Sequence, residues 1–243
     1  MSTYTLTHIK MDNHSQITIT LVKPNNNQQN LFTFTTFHLL LLTNHILSLL
    51  LITIISLYIR TILSFNTVIY NSSIITNDNE SHLISQWIHP KAKINYSLLY
   101  KASVDGDSSI KFHELCDNKG PTLTLVSTTE GWKFGGYTEI PWQLNSSPSG
   151  WINSKTHKSF IFSLNLRKLY PSKDNYSHIF STQLRGPSFG GGFDFSIVNH
   201  SLHKPSSCYS PVSFTNLDSQ NEFNGGNYSF LAKEVEVYSV KVI

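Results

Sequence analysis

The sequence predicts an α+β fold: two antiparallel β-sheets packed as a sandwich with a few short peripheral helices, preceded by a single N-terminal transmembrane helix. Three observations predict it. Residues 81–243 carry many short β-forming runs separated by Gly, Asn, Asp and Ser, with few helical runs between them. Residues 37–59 read FHLLLLTNHILSLLLITIISLYI, and no Asp, Glu, Lys or Arg occurs from Pro24 to Ile59. A dense run of turn, cap and strand signals lies between Leu98 and Trp142.

From the N-terminus, residues 1–30 are polar and end in the tract Asn25 to Asn30; a β-like run from Ile17 to Val22 precedes it, and the region is expected to be disordered. Residues 31–62 are expected to hold the transmembrane helix, since about 20 apolar residues suffice to span a bilayer. Arg60 marks its C-terminal edge and Tyr58 suits the interface. A soluble helix buried on all sides and an unselected N-terminal extension stay open beside that reading. Arg60 next to the span favours a cytosolic position for the residues C-terminal to it. Residues 63–80 read as a polar linker, and residues 81–243 as the folded domain.

Within that domain, Leu83, Ile84 and Trp87 fall at helical spacing, so a helix is expected from Ser81 to Trp87. Tyr96 to Ala102 reads as a strand and Asp105-Gly106 as a turn. Asp107, Ser108 and Ser109 can cap a helix from Ile110 to Cys116, which Asn118-Lys119-Gly120-Pro121 stops. Thr122 to Ser127 and Trp132 to Thr138 form a hairpin about Glu130-Gly131. A loop is expected from Asn145 to Ser154 and from Ser206 to Asn227. Strands are expected at Lys158 to Asn165, His178 to Thr182, Gly192 to Val198 and Phe230 to Val240. The last puts Val235 and Val237 on one face and Glu234 and Glu236 on the other.

Charge is uneven along the chain. Residues 1–80 balance Lys10, Lys23 and Arg60 against Asp12, Asp78 and Glu80, so the net +3 lies wholly in residues 81–243. It is unclustered, which argues against a nucleic-acid footprint. Cys116 and Cys208 are too few and too distant to describe a disulfide scaffold, and are expected as packed thiols. The Asn-x-Ser sequons at Asn71, Asn95, Asn145, Asn175, Asn199 and Asn227 accompany an Asn- and Ser-rich composition.

Several segments together resemble the TLDc domain family. They are Leu99-Tyr100-Lys101-Ala102, Asp105-Gly106, Phe112-His113, Cys116-Asp117, Gly120-Pro121-Thr122-Leu123, Phe134-Gly135-Gly136-Tyr137 and Trp142. Gly186-Pro187-Ser188-Phe189-Gly190-Gly191-Gly192 and Glu234-Val235-Glu236-Val237-Tyr238 complete the pattern. The resemblance covers roughly residues 81–243 and implies two antiparallel sheets with helices around them. It also implies a role in protection against oxidative stress, and with no catalytic constellation in the residues the expected function is that of a non-catalytic interaction module. Some members bind the peripheral sector of the vacuolar proton-pumping ATPase and regulate its assembly.

Each candidate constellation has a plainer alternative. Gly190-Gly191-Gly192 lacks the Gly-Lys-Ser/Thr and helix of a phosphate loop, and reads as a bulge or tight turn, as does Gly135-Gly136. His113 and Cys116 sit three apart on one helix but lack further metal ligands, and read as one exposed and one buried residue. Asp105 and Asp117 read as turn and cap residues. Glu234 and Glu236 could pair as acid and base on one strand face, and read instead as a solvated face. No Ser-His-Asp order, nucleophile elbow or nucleotide fingerprint occurs, and no cofactor or metal is expected. The rival functional reading is a thiol-based redox protein using Cys116, which would need an exposed thiolate.

Overall fold

The computed structural model describes residues 5–11, 16–22, 29–64, 68–69, 71–144, 150–153, 157–209, 212–215 and 221–243. The chain divides into two compact units, residues 1–63 and 64–243.

In the first unit, strands β1 (Thr5–Met11), β2 (Gln16–Val22) and β3 (Gln29–Thr35) form an antiparallel sheet in the order β1-β2-β3. At residues 5–11, 16–22 and 29–30 this differs from the expected disorder. Ile17, Ile19 and Leu21 alternate with Thr18 and Thr20, a β-branched pattern that suits a strand. The expected start of the span is corrected too: Leu31 and Phe34 pair with Thr20 and Ile17 in the sheet. The Asn25 to Gln28 part of the polar tract lies outside the described residues. Helix α1 (Thr36–Ser64) follows, 29 residues long. Its described side chains, at residues 43–58, are all exposed within the chain. Two of its hydroxyls bond back to the helix, Ser48 Oγ to His45 O at 2.8 Å and Thr53 Oγ1 to Leu50 O at 2.7 Å. Among the described residues no helix is long and apolar enough to cross a membrane.

The second unit opens with α2 (Asp78–Ile88), whose N-cap Asn77 accepts from Glu80 N. Next come β4 (Ile94–Lys101), α3 (Ala102–Asp105) and α4 (Ser109–Cys116), the last capped by Ser108. The hairpin β5 (Thr122–Thr128) and β6 (Lys133–Thr138) lies where the turn residues place it. Then follow β7 (Trp151–Ile152), β8 (Ser159–Ser163), β9 (Lys168–Pro171), β10 (Ile179–Phe180) and β11 (Arg185–Phe189). The chain closes with β12 (Phe195–Val198), β13 (Ser206–Ser207), β14 (Ser229–Phe230) and β15 (Ala232–Val242). Strands β7 and β13 lie inside segments expected as loops. At two residues each they are too short for the period of two to show.

The strands form two six-stranded antiparallel sheets, β4-β15-β5-β6-β8-β9 and β14-β13-β12-β11-β10-β7. One apolar cluster joins them: Val126, Phe134, Ile161, Val235 and Val237 from the first sheet meet Ile179, Phe189, Phe195 and Ile197 from the second. A second cluster covers the opposite face of the first sheet. There Leu123, Leu125, Phe160, Phe162, Tyr238 and Val240 pack under Ile84 and Ile88 of α2 and under Ile69 and Ile74. Burial on both faces explains why β5 and β8 read as near-continuous apolar or small runs rather than as alternating ones.

Ile69 and Ile74 are 4% and 1% exposed, so Ile69 and residues 71–76 belong to the domain rather than to a linker. The sequence conceals this because Asn71-Ser72-Ser73 and Thr76 to Glu80 are polar, and only two isoleucines in register carry the packing. Burying an Ile stabilises by about 1.5–3 kcal/mol, so a fragment 81–243 should lose several kcal/mol relative to 64–243. Thermal unfolding of the two fragments checks this. The longer should melt cooperatively, and equal melting temperatures would show that the segment contributes nothing.

Candidate functional site

The motif residues converge on the interior. Tyr100 and Phe112 meet edge to face at 6.0 Å, Phe112 and Trp142 at 5.4 Å, and Trp142 and Phe189 at 5.5 Å. Trp142 Nε1 donates to Thr122 Oγ1 at 2.8 Å, which satisfies the polar end of a fully buried indole. Phe134 touches Phe195, Phe223 and Phe230 at 5.1–5.4 Å. Tyr137 lies on the other face against Phe160. Gly135 and Gly136 are strand residues and not a turn, which corrects the bulge expectation. A Cβ on Gly136 would fall 2.6 Å from the Phe189 ring, and one on Gly135 would strike Thr124 O. The pair exists for close approach, and it brings the two glycine motifs together across the sandwich. Gly186 sits likewise against Ile197.

Helix α4 is held by its polar residues. His113 and Cys116 are both buried, at 3% and 0% exposure, which corrects the expectation of one exposed residue. His113 Nδ1 lies 2.8 Å from Asp117 Oδ1, and Nε2 donates to the carbonyls of Thr182 at 2.8 Å and Arg185 at 3.1 Å. The ring therefore ties α4 to the start of β11. Asp117 Oδ2 receives Leu144 N, so Asp117 caps the helix and holds the next loop. Asp105 Oδ2 receives Lys101 N, and Gly106 takes φ 102°. Gly120, at φ 80°, supplies the left-handed turn before Pro121. Burial first, then the nearby Asp117 and Asp105, pushes the Cys116 thiol far above its ordinary pKa. Burial does the same to Cys208. Neither is the exposed thiolate that redox chemistry needs.

Glu234 and Glu236 are 7% and 0% exposed, which overturns the solvated-face reading. Val235 and Val237 do face the core, but the opposite face is covered by residues 72–73 and by Ser103 of α3. Glu236 receives Ser72 Oγ at 2.6 Å, Ser73 N at 2.8 Å, Ser73 Oγ, Lys101 Nζ and Tyr238 OH, each at 2.9 Å. Burial pushes its carboxyl up, but these donors outweigh it and hold the group below the usual range. Glu234 receives Ser103 N at 3.1 Å, the Ser103 hydroxyl and Val235 N. The two carboxylates thus fasten separate segments, α3 and residues 72–73, and do not face a common substrate space.

At the second glycine motif the left-handed residue is Gly190, at φ 85°. A Cβ there would land on Asp194 Oδ2, whereas one on Gly191 meets nothing closer than 3.4 Å. Gly191 N donates to Ser213 Oγ at 2.6 Å, and Ser213 N to Asp194 Oδ1 at 3.2 Å. Among the described residues, the buried Asp194 Oδ2 has no hydrogen-bond partner. Strand β12 begins only at Phe195, three residues later than expected, because Phe193 is itself left-handed at φ 56°. Sequence reasoning missed Asp194, since Phe193-Asp194-Phe195 reads as an alternating strand with its acid outward.

Two clefts of about 270 and 320 Å³ flank the Lys133–Glu80 ion pair. The larger is lined by Ser73, Thr76, Thr128, Lys133, Lys233 and Glu234. Among the described residues no group of three or more His, Cys, Asp or Glu could hold a metal ion.

The TLDc domain model matches residues 69–241, more than half of the chain. The chain belongs to the TLDc family. No curated protein matches it. The TLDc match begins at residue 69, which coincides with the first buried isoleucine of the domain.

Asp194 generates a prediction about pH. Burial raises its carboxyl from the ordinary 3.8 to about 7. The folded protein keeps this proton up to about pH 7, whereas the unfolded chain releases it near 3.8. Between those values the folded state binds more protons, so this group's contribution to stability falls as pH rises. Asp194→Asn should therefore stabilise the TLDc domain at pH 8, by an amount on the order of a few kcal/mol, and should not at pH 4. Chemical denaturation of both proteins across that range checks it; a variant equally destabilised at every pH would refute it.

Proposed function

We propose that this TLDc protein is a non-catalytic interaction module that binds the peripheral sector of a vacuolar-type proton-pumping ATPase and contributes to protection against oxidative stress. The observation that carries the reading is that the motif residues serve the fold. The carboxylates of Glu234, Glu236 and Asp117 are committed to backbone and hydroxyl donors, and both thiols are buried. What such a scaffold offers a partner is its surface. The family's link to the proton pump supplies the partner, and α1, whose described side chains cover only residues 43–58 and so fall short of a full span, is the proposed single-pass tether. The exposure of Thr43 to Tyr58 within the chain and the internally bonded hydroxyls of Ser48 and Thr53 fit a helix surrounded by lipid. The TLDc domain then lies on the cytosolic side, where a peripheral pump sector is accessible.

Binding of the purified peripheral pump sector to the full-length protein in detergent tests the module. Saturable binding with a change in pump assembly is expected, and no binding at micromolar concentrations would refute the assignment. The tether is tested separately. The protein should remain in the pellet on alkaline carbonate extraction, and Leu50→Arg, at a cost of about 2.5–3.5 kcal/mol of insertion, should release much of it. Protease should digest residues 64–243 in sealed vesicles. Protection of that segment, with its sequons glycosylated, would overturn both topology and partner.

A further inference from the structure

The second sheet carries an aromatic platform on the face turned away from the core. Ile179 and Ile152 pair across β10 and β7 and pack inward, so by alternation their neighbours Phe180 and Trp151, also paired, point outward. Trp151 lies 4.3 Å from Phe180 and 4.8 Å from Phe193, and Phe180 lies 4.9 Å from Phe193, between ring centres. Tyr209, which is 51% exposed, extends the platform at 6.4 Å from Phe193. The Arg185 guanidinium lies over the Phe193 ring at 4.5 Å. Trp151, Phe180, Phe193 and Arg185 are all partly exposed.

Phe193 stands in a backbone conformation that a bulky side chain rarely adopts, where Asn or Gly would sit without strain. The surroundings impose it. Phe193 N donates to Gly190 O at 3.2 Å, Tyr209 N donates to Phe193 O at 3.0 Å, and the next residue, Asp194, is anchored on Ser213. A strained ring on a surface, held there by a buried anchor, points to a use outside the fold.

Arg185 says what the platform would meet. Among the described residues it has no carboxylate partner; its Nη1 donates only to Ser196 Oγ at 3.0 Å, which leaves most of its planar donor fork free. Lys173, which lies over Tyr176 and donates to Val212 O, adds positive charge beside the segment that receives Gly191. The net positive charge of the chain also lies in this domain. Trp, Tyr and Arg in one patch is the composition of interface centres.

We propose that this platform is the docking surface of the module, and that its partner is an acidic segment of another protein, with a carboxylate on Arg185 and apolar side chains on Trp151, Phe180 and Phe193. The inference rests on the interaction-module reading and names its surface. The test uses full-length protein with two synthetic peptides, one of Glu, Pro and Leu and a matched one with Lys for Glu. The acidic peptide should bind and quench tryptophan fluorescence, and the basic one should not. Arg185→Glu should weaken binding by at least about tenfold, the usual scale for losing an interface centre. Phe193→Asn should weaken it similarly with a melting temperature as high as that of the parent, since Asn tolerates the left-handed backbone. Equal binding of both peptides, or full binding by folded Arg185→Glu, would overturn the proposal. So would a concentration-dependent dimer abolished by Arg185→Glu, which would make a second copy the occupant, or binding of phosphatidylserine vesicles in place of the peptide. The same variants against the purified pump sector separate the two readings. Parent and Arg185→Glu binding that sector equally well would sink the surface and keep the module. Acidic-peptide binding without pump-sector binding would sink the pump and keep the surface.

Discussion

The domain depends on where its last strand lies. Strand β15 inserts between β4 and β5, pairing Glu236 with Lys101 on one side and Leu125 on the other. The first sheet is therefore incomplete until the C-terminus returns, which makes most of its pairing non-local. The insertion also takes Glu236 out of water in mid-strand. A buried carboxylate is tolerable only when its oxygens are bonded, and the donors come from Lys101 opposite and from Ser72 and Ser73 ahead of the first helix. One charge thus links the N-terminal segment, the first strand and the last strand of the domain. Removing either the N-terminal segment or the first strand leaves the carboxylate with fewer donors.

Much of this was legible from residues alone. The helix cap at Ser108, the Gly106 and Gly120 turns, the hairpin about Glu130-Gly131 and the inward Val235 and Val237 all obey local rules, because each depends on chemistry within a few residues. The illegible parts depend on what lies across the fold. Glu236 looks solvated until Ser72 and Ser73 are laid over it, and Glu234 until Ser103 of α3 reaches it. His113 looks exposed until Thr182 and Arg185 bring carbonyls to it. The polar character of Asn71 to Glu80 disguised a segment whose hydroxyls are needed because they are polar.

The glycines divide in the same way. Gly190 is required by its backbone angle, and Asp194 fills the space where a side chain would be. Gly135 and Gly136 have ordinary strand angles and are required by neighbours, the Phe162 ring and the Thr124 carbonyl beside Gly135 and the Phe189 ring against Gly136. A run of glycine in sequence does not distinguish these causes. Only the position of the second sheet shows that the Phe134-Gly135-Gly136-Tyr137 motif is a packing surface for the Gly186 to Gly192 motif.

That division bears on how a TLDc domain can act. Its recognisable residues are those that bring two sheets to close approach and fasten the closing strand, and such contacts determine shape without prescribing a reaction. Partly exposed aromatic residues lie elsewhere, on β7, β10 and the turn after β11, where sequence patterns are weak because the strands are short. There the fold holds Phe193 in a left-handed conformation, and the anchoring Asp194 pairs with Ser213 through one oxygen while the other meets no donor among the described residues. Stability is given up at two adjacent residues, in the backbone of one and the side chain of the other. Both keep the same aromatic ring at the surface, where the backbone of Phe193 and the side chain of Asp194 share the cost of holding it.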